Sequence, residues 1–240
     1  MRRVSAGYAD LMRRRTLLTS VPVLLLAAAC GEDSSPAPQG DPKKLVASAA
    51  TAFADAKTVA FTLTSKGVPD DVNGVSAAEG SGVIDPQQPK FEGTITGRIQ
   101  GINGTVDVIA IGDQTWVKLF TPTYQSMDLA GMGAPNPAKF FHPTDGLPGL
   151  LTATTALSAG DQKRAGSDIL SQVNGKIPAA PVYDLLRLGD GDGGYDVTYG
   201  ITDSGELRTI RLVGQFYGDA SSTYDFSVKD YGEPVDITEP

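Results

Sequence analysis

From Phe91 to Phe120 apolar and polar side chains take turns along the chain. Phe91, Gly93, Ile95, Gly97 and Ile99 alternate with Glu92, Thr94, Thr96 and Arg98. A period of two places successive side chains on opposite faces of a strand. Asn103-Gly104 is a strong hairpin signal. It separates Phe91–Ile99 from Thr105–Ile111, and Gly112-Asp113 separates that run from Gln114–Phe120. The stretch predicts a three-strand antiparallel meander. Tyr195–Ile201, Leu207–Phe216 and Thr223–Tyr231 predict a second one, with Asp203-Ser204-Gly205 as a turn. A chain built this way must form an antiparallel sheet and hide one face of it.

The other elements fit around those two runs. Asp41-Pro42 is an N-cap followed by proline at the first helical position. Leu45, Ala49, Ala52, Phe53 and Ala56 then recur at helical spacing through Lys57. Val59, Phe61 and Leu63 alternate with Ala60, Thr62 and Thr64, and a poorer strand runs from Val75 to Ile84. Thr121–Phe141 reads as irregular, with prolines at 122, 135 and 137. Thr144–Pro148 opens a short helix through Leu147, Leu150 and Leu151. Strands are expected at Gln162–Gly166 and Asp168–Gly175, a helix at Pro178–Leu188, a turn at Gly189–Gly194, and a last short strand at Val235–Ile237. Nine or ten strands in two runs, with three helices, fit the α+β class.

The start of the chain sets the compartment. Arg13, Arg14 and Arg15 precede the apolar run Val21–Cys30. A basic region, a short apolar run and small residues make a secretory signal. The apolar run is shorter than the ~20 residues that a membrane span needs. Leu26-Ala27-Ala28-Ala29-Cys30 resembles a bacterial lipobox, whose cysteine is acylated and becomes the first mature residue; Ala27 stands where leucine is usual. Arg14-Arg15-Thr16-Leu17-Leu18 also resembles a twin-arginine export motif, and Met12 would serve as well as Met1 to start the signal. The expected organisation is a signal peptide over 1–29, a lipidated Cys30 with a flexible tether over 30–41, and one domain over 42–240.

Setting aside the five arginines and one aspartate before Cys30 leaves 15 basic and 27 acidic side chains, a net charge of −12. Such a domain has no electrostatic footprint for nucleic acid. Anionic lipid headgroups would repel it, so the membrane partner is reached through the lipid anchor. Cys30 is the sole cysteine, so no internal disulfide supports the fold.

No enzyme signature emerges, and no cofactor is expected. There is no G-x-S-x-G elbow and no phosphate loop. His142 is the one histidine, which excludes a His/Cys metal cluster. Asp190 and Asp192 sit in a glycine-rich turn, but the twelfth position of a calcium loop is Ile201 rather than glutamate. Gly93, Gly97, Ala110, Ala49, Ala52 and Ala56 place small side chains between sheet and helices. The space beside them is either closed by packing or left for a ligand.

Several segments together resemble a known family. They are the lipobox, the tether, Trp116–Leu119, Pro137–Leu151, Val173–Ala179, the Asp203–Leu207 hairpin and the tail Tyr231–Ile237. In spacing and in short patches these are similar to mycobacterial and actinobacterial lipoproteins of the LppX/LprG/LprA/LprF type, from about Asp41 to the end. The Gly112-Asp113 turn and Ala27 depart from the family pattern. The resemblance implies a curved antiparallel half-barrel packed on a few helices, with an apolar cavity between them. It implies a lipid-binding domain that holds the acyl chains of a lipid or glycolipid and moves it across the periplasm toward the outer envelope, with a membrane lipid transporter as partner. Alternation and helical phase then give the lining positions: Val59, Phe61, Leu63, Ile95, Ile99, Val106, Val108, Ala110, Leu147, Leu150 and Leu151. The alternative is a non-catalytic adhesion or assembly lipoprotein with a solid interior.

Overall fold

The computed structural model describes residues 40–240 except 100, 120 and 121, and of Ile99 the backbone alone. Helix α1 spans Pro42–Asp55, α2 Leu147–Ala153 and α3 Ala179–Leu186, with a 3-10 turn at Pro137–Phe141. Six strands precede that turn: β1 Thr58–Lys66, β2 Gly74–Val83, β3 Lys90–Ile99, β4 Ile102–Ile111, β5 Gln114–Lys118 and β6 Gln125–Ser126. Five follow α2: β7 Thr155–Ala165, β8 Asp168–Pro178, β9 Gly194–Ile201, β10 Leu207–Tyr217 and β11 Ala220–Lys229.

All eleven strands lie in one antiparallel sheet of order β6-β5-β4-β3-β2-β1-β11-β10-β9-β8-β7. The two meanders foreseen from the period-two runs are β3–β5 and β9–β11, three neighbouring strands in each of its two halves. The halves join where β1 pairs with β11, with Phe61 opposite Val228 and Leu63 opposite Phe226. The sheet is open and curled. The chain leaves it at β6, one edge, and re-enters at β7, the other. Residues 127–154, with the 3-10 turn and α2, therefore cross the sheet. Both edges are blunted against pairing with another chain. β6 is two residues long, and β7 is exposed, bulged and charged at Asp161, Lys163 and Arg164.

The inner face carries the core. Val59, Phe61 and Leu63 of β1, Tyr224, Phe226 and Val228 of β11, and Val197, Tyr199 and Ile201 of β9 are all buried there. The Asp41 carboxylate caps α1, accepting from Lys43 N at 2.9 Å. Its buried residues are Val46, Ala49, Ala50 and Phe53; Ala49 and Phe53 belong to the expected Leu45/Ala49/Ala52/Phe53/Ala56 face, Leu45 and Ala56 pack part-buried on the core, and Val46 and Ala50 widen that face. Packing against α2 and the β7–β10 half of the sheet selects that face. Tyr199 is fully buried, and its hydroxyl pairs with Thr154 Oγ1 at 2.7 Å, so the one polar atom it brings inside is satisfied.

Three expectations change. The β3–β4 turn lies at Gly101, φ +80, with Ile99 opposite Ile102, so Asn103-Gly104 falls inside β4. The register that puts Ile95 opposite Val106 keeps both on the inner face and outweighs the local turn preference. Strand β7 is far longer than Gln162–Gly166, because an exposed, bulged edge strand carries no alternation. Val235–Ile237 is not a strand. Ile237 instead packs on the outer face against Ile109 and Ile111, and Lys90 Nζ donates to its carbonyl at 2.8 Å. Ile237→Ala is expected to cost roughly 2–3 kcal/mol in a denaturant titration; an unshifted midpoint would mean the tail does not hold this small second core.

Candidate functional site

The helices do not cover the inner face evenly. α1 lies against α2 and β7–β10, and α3 against β8 and β9. Over β2–β4 the cover is the 3-10 turn, with Phe140 and Phe141 pointing into the core. Phe141 stacks on Phe91 at 6.1 Å and meets Phe61 edge-on at 6.4 Å. Phe140 lies 5.5 Å from Phe61 and 6.1 Å from Phe226. This aromatic plug fills the middle of the sheet.

Glycines make the plug possible. A Cβ on Gly82 would stand 2.2 Å from the Phe141 ring, and one on Gly93 or Gly80 would stand 2.8 Å from Phe91. The missing side chains let two phenyl rings lie close on the strands. The small-residue stripe is thus divided. Gly80, Gly82 and Gly93 serve packing, Gly97 lets the β2 backbone at Gly74 and Val75 lie close, and Gly104 on β4 borders open space.

Beyond the plug that space is a cavity of about 250 Å³. Val75, Ile95, Val106, Val108 and Val117 form its sheet wall. Met127, Leu129 and Pro135, from the segment after β6, form its cover, and Leu186 and Leu188 at the end of α3 form its side. A smaller void of about 50 Å³ lies against the plug, lined by Phe61, Leu63, Phe91, Phe140 and Tyr224. Val75, Ile95, Pro135, Leu186 and Leu188 border both. Among the described residues neither is bordered by a carboxylate; the polar residues at the larger one are Asn73, Arg98 and Arg187. Ile102, at 62% exposed, and Met132, at 38%, stand on its rim.

Phe61, Leu63, Ile95, Val106 and Val108 border these spaces. Val59 and Ala110 are buried in the core away from both, and Leu147, Leu150 and Leu151 are buried where α2 packs. The Ile99 side chain and Cys30 lie outside the described residues. Met127, Leu129 and Met132 were not foreseen. They sit in a stretch with no period, where three apolar side chains were the sole signal.

His142 is bound into a turn. Its Nδ1 accepts from Asp145 N at 3.0 Å, which leaves the proton on Nε2, facing Pro86 O at 3.1 Å. It ties the β2–β3 connection to the entry of α2. His142→Ala should cost about 1–2 kcal/mol of stability; an unchanged melting midpoint would remove that role. Asp85, in the same connection, is held below the usual carboxylate range, chiefly by the Gln88 and then the Gln87 backbone N–H. Among the described residues no helix is long and apolar enough to cross a membrane.

In comparison with solved structures, the chain is similar to LprF from Mycobacterium bovis, with a TM-score of 0.71 and 15% identity over 85% of this chain and 99% of that one. It is similar to the lipoprotein LppX of Mycobacterium tuberculosis, with a TM-score of 0.61 and 18% identity over 83% of this chain and 100% of that one. At such identities the likeness is one of fold. A search of curated protein sequences found no match. The family model of the LppX_LprAFG lipoproteins matches residues 41–237, which is most of the chain, and on that match the protein belongs to the LppX_LprAFG lipoprotein family.

Proposed function

We propose that this protein is an envelope lipoprotein, exported and anchored to the outer face of the cell membrane through Cys30, that binds a multi-acyl lipid or glycolipid and carries it across the periplasm. In this reading residues 1–29 are the removed signal, 30–41 the acylated cysteine and tether, and 42–240 one lipid-binding domain. A membrane lipid transporter supplies or receives the cargo.

The observation that carries the proposal is the 250 Å³ cavity with its apolar walls. An apolar cavity of ~150 Å³ already stays dry and admits a benzene-sized guest. The present one suits an acyl segment, and the remaining chains of a larger lipid would leave by the rim. Ile102 and Met132 there give the rim an apolar lip for contact with a bilayer.

The energetics suit a carrier. A buried methylene is worth ~0.8 kcal/mol, so an acyl chain of roughly 16 carbons gains about 13 kcal/mol over water. A bilayer offers the same gain, so exchange between the two is near neutral and loss to water is prohibited. No nucleotide is needed to drive such exchange. The adhesion or assembly alternative needs a solid interior and has no observation behind it.

The test is to purify the protein from an actinobacterial host and extract its lipid. About one equivalent of acyl lipid beyond the N-terminal anchor is expected. A preparation that carries none, and takes up none when glycolipid is added, would sink the carrier reading. Ile102→Asp with Met132→Asp should slow uptake from vesicles by roughly ten-fold, because two charges then meet the hydrocarbon boundary; an unaltered rate would mean the lip does not touch the bilayer.

A further inference from the structure

The chain has four methionines, Met1, Met12, Met127 and Met132, and the first two precede Cys30. The two that remain in the domain both border the large cavity, and both lie on its cover. The apolar side chains of the sheet wall and of the α3 side are valine, isoleucine and leucine. Among the described residues Met127 and Met132 bring the sole sulfur atoms to the cavity.

Register fixes the first of them. Ser126 pairs with Trp116, which lies on the outer face with Ile109. Met127, one residue on, falls on the inner face and packs part-buried on the core. Its N–H donates to Thr115 O at 2.9 Å, and Thr115 Oγ1 donates to its carbonyl. Met132 sits in the turn that follows. Its N–H donates to Leu129 O at 3.1 Å, and Ala134 N donates to the same carbonyl at 2.9 Å. Leu129 is buried and Ala134 packs on the core, while Met132 between them stays exposed on the rim.

A thioether is unbranched and adapts to an irregular guest, which suits a cover. It is also open to oxidation. With hydrogen peroxide the sulfur lone pair attacks one oxygen, an S–O bond forms and the O–O bond breaks. The proton on the transferred oxygen passes to the departing hydroxide, which leaves as water. Sulfur is oxidised by two electrons and the peroxide is reduced. The side chain becomes polar. Leu129, Ala134 and Pro135 beside it on the cover bring no side-chain donor to meet the new oxygen. An unpaired polar atom is costly against hydrocarbon.

We infer that Met127 and Met132 are oxidation sites that control lipid retention: a peroxide converts them to sulfoxides and the cavity loses its acyl chain, and reduction restores it. The inference rests on the carrier reading and adds a redox control to it.

The test uses the acylated protein in phosphatidylcholine vesicles. Half is treated with hydrogen peroxide, catalase removes the excess, and mass spectrometry confirms a sulfoxide at both positions. Photoactivatable diacylglycerol is then offered, and adducts on cavity residues are counted. Oxidised wild type should be labelled roughly ten-fold less than reduced wild type. Methionine sulfoxide reductases should return the labelling. Met127→Leu/Met132→Leu, compared only with itself before and after peroxide, should show no loss; it keeps Cys30 and Trp116, so oxidation there is controlled. In protein preloaded with diacylglycerol, Met127 should oxidise several-fold more slowly than in lipid-free protein.

Equal labelling of oxidised and reduced wild type overturns the inference and leaves the carrier reading intact. So does a loss that the reductases do not reverse, an equal loss in the double leucine variant, or a Met127 oxidation rate that lipid leaves unchanged. No labelling of the reduced wild type overturns both.

Discussion

Ile95→Trp is expected to leave the protein folded and empty of lipid. Ile95 borders the large cavity and the small void together. A larger apolar side chain there grows into existing space, so the packing penalty stays at the low end of the usual ~1–3 kcal/mol. The loss falls on the ligand. If the indole displaces four methylenes, about 3 kcal/mol of transfer energy is forfeited, more than a hundred-fold in occupancy. Val108→Trp should act in the same direction, since Val108 borders the same cavity at 1% exposure. Ile169→Trp is the control, because Ile169 is 44% exposed and borders neither space. Lipid extracted from each purified variant gives the answer. Full occupancy in Ile95→Trp would place the acyl chain elsewhere.

Gly82→Val should be severely damaging to the sheet and its plug. The first added carbon would meet the Phe141 ring at 2.2 Å, well inside contact. Phe141 cannot yield easily, being 2% exposed and held between Phe91 and Phe61. Either the ring leaves the core or β2 moves off the 3-10 turn. Overpacking of this kind costs about 3 kcal/mol or more, against a total stability of roughly 5–15 kcal/mol for a domain. The coupling can be measured. Gly82→Ala should be strongly destabilising alone and much milder with Phe141→Leu, so a double-mutant cycle should return a coupling of about 1–3 kcal/mol. A wild-type unfolding midpoint for Gly82→Ala would show that the ring moves freely.

Legibility in the sequence followed exposure. The two meanders were readable because each of their strands has one face in the core, and burial on one face writes a period of two into the chain. Strand β7 was largely hidden because it has no buried face, and β6 because two residues carry no period. The β3–β4 turn was misplaced because a good local turn, Asn103-Gly104, competes with a register set by the pairing of Ile95 with Val106. Leu147, Leu150 and Leu151 were correctly read as inward, but inward there means toward the α1 and sheet contacts rather than the cavity. Alternation reports that a side chain is buried and is silent on what it is buried against.

The amino-acid sequence by itself determined the antiparallel sheet, the helices that punctuate it, the acidic charge and the family to which the chain belongs. These follow from local spacing, composition and short patches of residues. Tertiary structure decided where the sheet's inner face is closed and where it is open. That depends on contacts between residues far apart in the chain: Gly82 under Phe141, Phe61 against Phe226, and Leu186 and Leu188 across from Val106 and Val108. A glycine stripe means packing where an aromatic ring or a neighbouring strand's backbone lies on it, as at Gly82 and Gly97, and space where neither does, as at Gly104. The path of residues 127–154 across the sheet makes that choice, and no period in those residues records it.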